Sequence, residues 1–174
     1  MLTIHSEIKE WLDSMDIKNY TIHDTSTVTV EDDVDIRERN LTEIPVQFRI
    51  VYGDFDCVGN LLDSLEGSPP EVGGDFNCFY NKLTTLAFAP QEVGGDFHCG
   101  WNRLRTLECG PKNVLGSYYC YSNKLETLEG AACTVGGDFN CGDNLLTTLN
   151  GKPQEIGGAF YHYANQRLDD SNAN

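Results

Sequence analysis

The chain is short of positive charge. Its 174 residues include 12 Lys and Arg against 27 Asp and Glu, a formal net charge of −15. Binding to a phosphate backbone needs the opposite sign, so direct nucleic-acid binding is not expected. Two kinds of partner suit the balance: a basic protein, or a nucleic-acid-binding protein whose site an acidic mimic would fill. Excess charge of one sign also simply keeps a protein soluble. Long apolar runs are missing too, and none approaches the roughly 20 residues of a membrane span. The N-terminal MLTIHSEIKEWLDSM is polar and acidic, without the apolar stretch of a signal peptide. A cytoplasmic protein without membrane contact is expected. Histidine is sparse, and His5, His23, His98 and His162 form no metal set. The G-G-D turns lack the Lys and the helix of a phosphate-binding loop. No cofactor and no metal are expected. The seven cysteines are odd in number, which argues against a disulfide framework.

What the chain does have is a period. Phe55, Phe76, Phe97, Tyr118, Phe139 and Phe160 are spaced 21 residues apart without a slip. Cys57, Cys78, Cys99, Cys120 and Cys141 stand two places after the first five, and His162 takes that place in the sixth. Asn60, Asn81, Asn102, Asn123, Asn144 and Asn165 come three places later, followed by Leu pairs such as Leu83/Leu86. An unbroken period in this range means a solenoid, in which each repeat packs only on its neighbours.

The segment Asp75-Phe-Asn-Cys-Phe79 alternates as a half-buried strand does, with Phe76 and Cys78 inward and Asp75, Asn77 and Phe79 outward. Asn81 turns the chain and can bond the backbone of a neighbouring rung, satisfying a buried corner. Pro69, Pro90, Pro111 and Pro153 favour an extended return path without a helix. The Gly-Gly pair before each strand predicts a tight turn with positive φ. The Cys column reads as small buried apolar residues. Adjacent strands lie about 4.8 Å apart, too far for easy disulfides between rungs, and a straight column does not converge as zinc ligands must. Cys109 and Cys133 lie off the column and are expected to be accessible.

Subtracting one period from Phe55, Cys57, Leu62 and Leu65 gives Val34, Ile36, Leu41 and Ile44, all apolar. A degenerate rung therefore begins near Val34, with Arg39 in the Asn position. Before it the register fails. Residues 5–16 predict a short amphipathic helix with Ile8, Trp11, Leu12 and Met15 on one face, and residues 20–31 predict a hairpin. The expected fold is a β-rich, leucine-rich-repeat-like solenoid. It comprises a parallel sheet of about seven rungs over residues 34–168, an N-terminal α/β cap over 1–33 and a frayed tail over 169–174. In the last rung Arg167 replaces the core Leu. A monomer is favoured.

The pattern F-x-C-x-x-N-x-L-x-x-L resembles the leucine-rich repeat, with Phe and Cys in the strand Leu positions. It is more similar still to a short-repeat family of tailed bacteriophages and some bacteria, with units such as GGDFNCxxNxLTTLxGxP. WLDSMDIKNYTI, TVTVEDDVDI and NLTEIPVQF share in the resemblance, which spans about residues 10–168. Arg39 for Asn, Ala132 for Pro and His162 for Cys depart from it. The resemblance implies a phage-encoded protein in the host cytoplasm that binds, and by doing so inhibits, a bacterial host or defence protein.

Function is sought on the outward face, where solenoids bind. One edge carries Asp54, Asp75, Asp96 and Asp138. Toward the other stand Phe79, Tyr80, Trp101, Tyr119, Tyr121, Tyr161 and Tyr163, and His98 lies between Asn77 and Tyr119. Exposed aromatics are common interface anchors, and an acidic stripe beside them favours a basic protein partner. The alternatives are structural: aromatics stabilise a sheet as cross-strand neighbours, and Asp after Gly-Gly is a good turn residue. No nucleophile shares the rung of His98, so an interaction role suits it better than catalysis, and no enzyme is expected.

Overall fold

The computed structural model describes residues 1–165 and 168. The sequence-based expectations for residues 169–174 and for Arg167 lie outside the described residues. The solenoid is present, and its rungs stack in parallel register. Phe55 pairs with Phe76, Phe76 with Phe97, Phe97 with Tyr118, Tyr118 with Phe139 and Phe139 with Phe160. The degenerate first rung is real, since Val34–Asp35 pairs in parallel with Phe55–Asp56. These strands form a seven-stranded sheet, here the front sheet.

The return path contains more than the extended chain expected from its prolines. It holds a second, eight-stranded sheet. In the repeats this back sheet is built from Glu71–Val72, Glu92–Val93, Asn113–Val114, Thr134–Val135 and Glu155–Ile156. A third face, with the Leu pair pointing inward, joins the front sheet to the back one. The cap consists of helix α1 (His5–Ser14) and a hairpin of β1 (Tyr20–Ile22) and β2 (Thr27–Val30). β2 pairs antiparallel with β1 on one side and parallel with Gln47–Val51 on the other. The hairpin thus closes the stack while contributing to the back sheet. Ile8 and Leu12 are buried, and Trp11 meets Phe48 edge-on at 6.4 Å.

The core is a set of columns. Phe55, Phe76 and Phe97 stack at 5.4 and 5.6 Å with nearly parallel rings. The five column cysteines are buried and free. Burial pushes the Cys57, Cys78, Cys99 and Cys120 thiols far up and the Cys141 thiol to about 12. They remain inert thiols that fill space. Tyr118 breaks the Phe column. Its buried hydroxyl lacks a hydrogen-bond partner and lies 3.1 Å from where a Cβ on Gly110 would stand. The other rungs carry Gln47, Ser68, Ala89, Ala131 or Lys152 at the Gly110 position, so the missing side chain makes room for the extra oxygen.

Each corner Asn ties its rung to the preceding one. The Asn102 Oδ1 accepts from the Leu83 N–H at 2.9 Å, while Nδ2 donates to the Cys78 carbonyl at 3.0 Å and the Cys99 carbonyl at 3.2 Å. Asn60, Asn81, Asn123, Asn144 and Asn165 repeat this arrangement. In the degenerate rung, the backbone N–H groups of Arg39 and Leu41 both donate to Asn60 Oδ1.

The Gly-Gly pair works differently from the expectation. Neither member has a positive φ; the left-handed glycines are Gly59, Gly67, Gly130 and Gly151. The pair is needed for close approach. A Cβ on Gly74, Gly95 or Gly158 would collide with the carboxylate Oδ1 of Asp54, Asp75 or Asp138 in the preceding rung.

Candidate functional site

The Asp edge is built into that close approach. The Asp54 Oδ1 accepts from the Asp75 N–H at 2.8 Å, Asp75 from Asp96 at 2.7 Å, Asp96 from Ser117 at 2.7 Å, and Asp138 from Ala159 at 2.7 Å. Ser117 bridges the gap by accepting from the Asp138 N–H through Oγ. The row starts one rung earlier than the sequence reading placed it, because Asp33 accepts from the Asp54 N–H. Subtracting one period from Asp54 would have found it. Each carboxylate replaces a ladder bond at a corner where the backbone turns, so Asp54, Asp75, Asp96 and Asp138 carry structural work whatever else they do.

The middle of the front sheet also has an internal logic. Asp56, Asn77 and Asn140 each accept from the backbone N–H two residues on. His98 and Tyr119 make no such turn and stack instead, their rings 4.3 Å apart. Burial holds the His98 imidazole below its ordinary range against the opposing pull of Asp96, whose Oδ2 is 3.9 Å away. Phe79 and Tyr121 meet at 6.0 Å over the buried Gly100, and a Cβ there would touch both rings. Tyr163 lies over Gly142 in the same way. Aromatic rings that cover a cross-strand glycine restore the packing it forfeits. Phe79, Tyr119 and Tyr121 are half-buried in this web, whereas Tyr161 and Tyr163 are exposed.

Tyr80 and Trp101 stand apart. They occupy the corner between the front sheet and the third face, where every rung takes a left-handed backbone: Glu38, Gly59, Tyr80, Trp101, Ser122, Asp143 and Ala164. Such a φ costs an L-residue about 1–2 kcal/mol, and for a bulky side chain it is a genuine outlier. Tyr80 has φ 56° and is 58% exposed, and Trp101 has φ 51° and is 52% exposed. Their ring centroids lie 6.1 Å apart. The sequence marks the aromatics but not their strained backbone; Gly59 in register is its only trace.

A second left-handed corner, between the third face and the back sheet, escaped the sequence reading. Glycine holds it at Gly67, Gly130 and Gly151, but Phe88 (φ 69°, 60% exposed) and Cys109 (φ 66°) hold it in the rungs of Tyr80 and Trp101. Cys109 and Cys133 are exposed, as their off-column positions predict.

Among the described residues, no group of three or more His, Cys, Asp or Glu is placed to hold a metal ion, and no helix is long and apolar enough to cross a membrane. No family model, no curated protein and no solved structure matches the chain.

Proposed function

We propose that the chain is a non-enzymatic protein-binding module that engages its partner through the front sheet and the aromatic corner beside it. The observation that carries this reading is the placement of Tyr80 and Trp101. Both put a large apolar side chain in water from a left-handed backbone position that glutamate, glycine, serine, aspartate or alanine fills in other rungs. Neither strain nor exposure helps the fold, and residues held in such backbone states concentrate at functional sites. The half-buried His98, Phe79, Tyr119 and Tyr121 form a firm platform next to them, with Tyr161 and Tyr163 extending it along the sheet. The Asp row gives the opposite edge a negative field suited to a basic region of the partner. The resemblance to phage repeat units supports a bacterial host or defence protein as that partner, blocked by occupation of its surface.

The test is affinity capture with the parent chain and with a Tyr80→Gly/Trp101→Gly variant. The parent retains a partner that the variant loses, while urea unfolding of the two is alike. Retention by both chains would reject this face. A second reading, mimicry of nucleic acid, draws on the fixed carboxylates of Asp33, Asp54, Asp75 and Asp96 on four successive rungs. It predicts binding that weakens steeply as salt rises, whereas aromatic anchoring predicts little change.

A further inference from the structure

The third face of the solenoid carries a row of cations in a chain whose net charge is −15. In the three rungs from residue 81 to residue 131 this face holds four basic residues, Lys82, Arg103, Arg105 and Lys124, against three acidic ones, Glu108, Glu126 and Glu129. Lys82, Arg103 and Lys124 occupy one position on three successive rungs. Their register is fixed by bonds from Lys82 N to Leu62 O, Arg103 N to Leu83 O and Lys124 N to Leu104 O, at 2.8–2.9 Å. Parallel rungs repeat every ~4.8 Å, and like charges directly opposite one another are destabilising. Among the described residues none of the three forms an ion pair, while Arg105 beside them pairs with Glu126 at 3.6 Å. The row continues at both ends into exposed Leu61 and Leu145, and reads Leu-Lys-Arg-Lys-Leu across five rungs.

The two edges of the face point the same way. Tyr80 and Trp101 bound it on the front side and Phe88 on the back, all three exposed and all left-handed, in the same two rungs that carry Lys82 and Arg103. Three stacked cations, apolar ends and exposed aromatic borders therefore coincide on one surface that is neither sheet.

We infer that this third face is a second binding surface, and that its occupant is an acidic segment of a protein that also carries apolar side chains. Charge complementarity selects the sign. The leucines at both ends and the aromatic borders select a peptide over a nucleic acid, whose regular phosphates would meet only three cations in an acidic field. The surface stands on different residues from the front sheet, so it holds whether or not that sheet binds a partner.

The test is an array of short peptides in which Leu, Phe, Ser and one charged residue, Glu or Lys, are permuted, with a labelled oligothymidylate as competitor. The intact chain binds a set of Glu peptides, and added salt weakens them. Lys82→Gln/Arg103→Gln/Lys124→Gln lowers that binding about tenfold, the sum of three exposed ion pairs, and leaves any Lys peptides bound. Arg103→Gln alone gives part of the loss and serves if the triple variant folds poorly. Absence of Glu binders, Glu binding unchanged in both variants, or an oligothymidylate that displaces the Glu peptides and itself depends on Arg103 would each overturn the inference.

Discussion

Replacing Asn102 by Ala tests what holds one rung to the next. Asn102 bonds four backbone groups, but they do not depend on it equally. The Cys78 carbonyl keeps Asn81 Nδ2 at 3.2 Å, the Cys99 carbonyl keeps Asn123 Nδ2 at 3.0 Å, and the Gly100 carbonyl keeps the Tyr80 N–H at 3.1 Å. The Leu83 N–H has only Asn102 Oδ1 and would be orphaned. A buried orphan costs about 1–3 kcal/mol, and each further bond lost about 0.5–1.5. The amide group has two hydrogens to donate, so the expected destabilisation is about 2–6 kcal/mol. Urea unfolding followed by circular dichroism measures it as a fall in midpoint at constant slope. Asn102→Asp sharpens the test. It keeps the acceptor for Leu83 but turns a lone pair toward the Cys78 and Cys99 carbonyls. Burial and these carbonyls raise the carboxyl pKa in the folded state above its ordinary value of about 3.9. The folded state then binds the proton more tightly than the unfolded one. The variant's deficit is therefore smallest below the ordinary value and grows as pH rises through the raised one. A loss for Asn102→Ala below about 1 kcal/mol, or a pH-independent deficit for Asn102→Asp, would refute the ladder as the source of inter-rung cohesion.

Four further outcomes are expected. Gly110→Ala alone destabilises by crowding the Tyr118 hydroxyl, and Tyr118→Phe in the same chain removes the penalty; additive effects in a double-mutant cycle would deny the pairing. Trp101→Gly changes stability by no more than about 1 kcal/mol, because relief of the left-handed strain offsets the greater freedom of unfolded glycine; a much larger loss on thermal unfolding would make Trp101 structural. Cys109 and Cys133 react with a thiol reagent in the native protein, whereas the five column cysteines react only on unfolding; rapid native labelling of Cys99 would contradict its burial. His98 titrates below 6.5 by proton NMR, since burial disfavours its cation. The unfolded chain takes up that proton first, so the His98 contribution to stability is full above the ordinary pKa and is lost as pH falls through the depressed one. Titration at or above 6.5 would show that Asp96 outweighs burial.

The candidate surfaces were partly legible. The aromatics on the front sheet, the Asp row and the exposed thiols follow from counting in steps of one period, because stacked rungs force each position into one environment. What a side chain does within its column does not follow. The sequence shows Asp75 and Asp96 one rung apart, but only the stacked coordinates reveal a carboxylate seated over a glycine and bonded to the next backbone N–H. Tyr121 and Tyr80 look alike in the sequence, yet one covers Gly100 and the other stands in water from a left-handed residue. The basic row also went unread, since its members are a period apart in a chain that is acidic as a whole.

The sequence by itself determined the repeat, the inward Phe, Cys, Asn and Leu columns, the degenerate rung at Val34 and the helix-and-hairpin cap. These depend on periodicity and on apolar side chains leaving water, which local order encodes. The tertiary structure decided the second sheet, the use of the Gly-Gly pair and the left-handed corners. It also decided the meeting of three cations between aromatic borders. Each of these arises where one rung lies against another, and distances between rungs are a property of the stack that no single repeat contains.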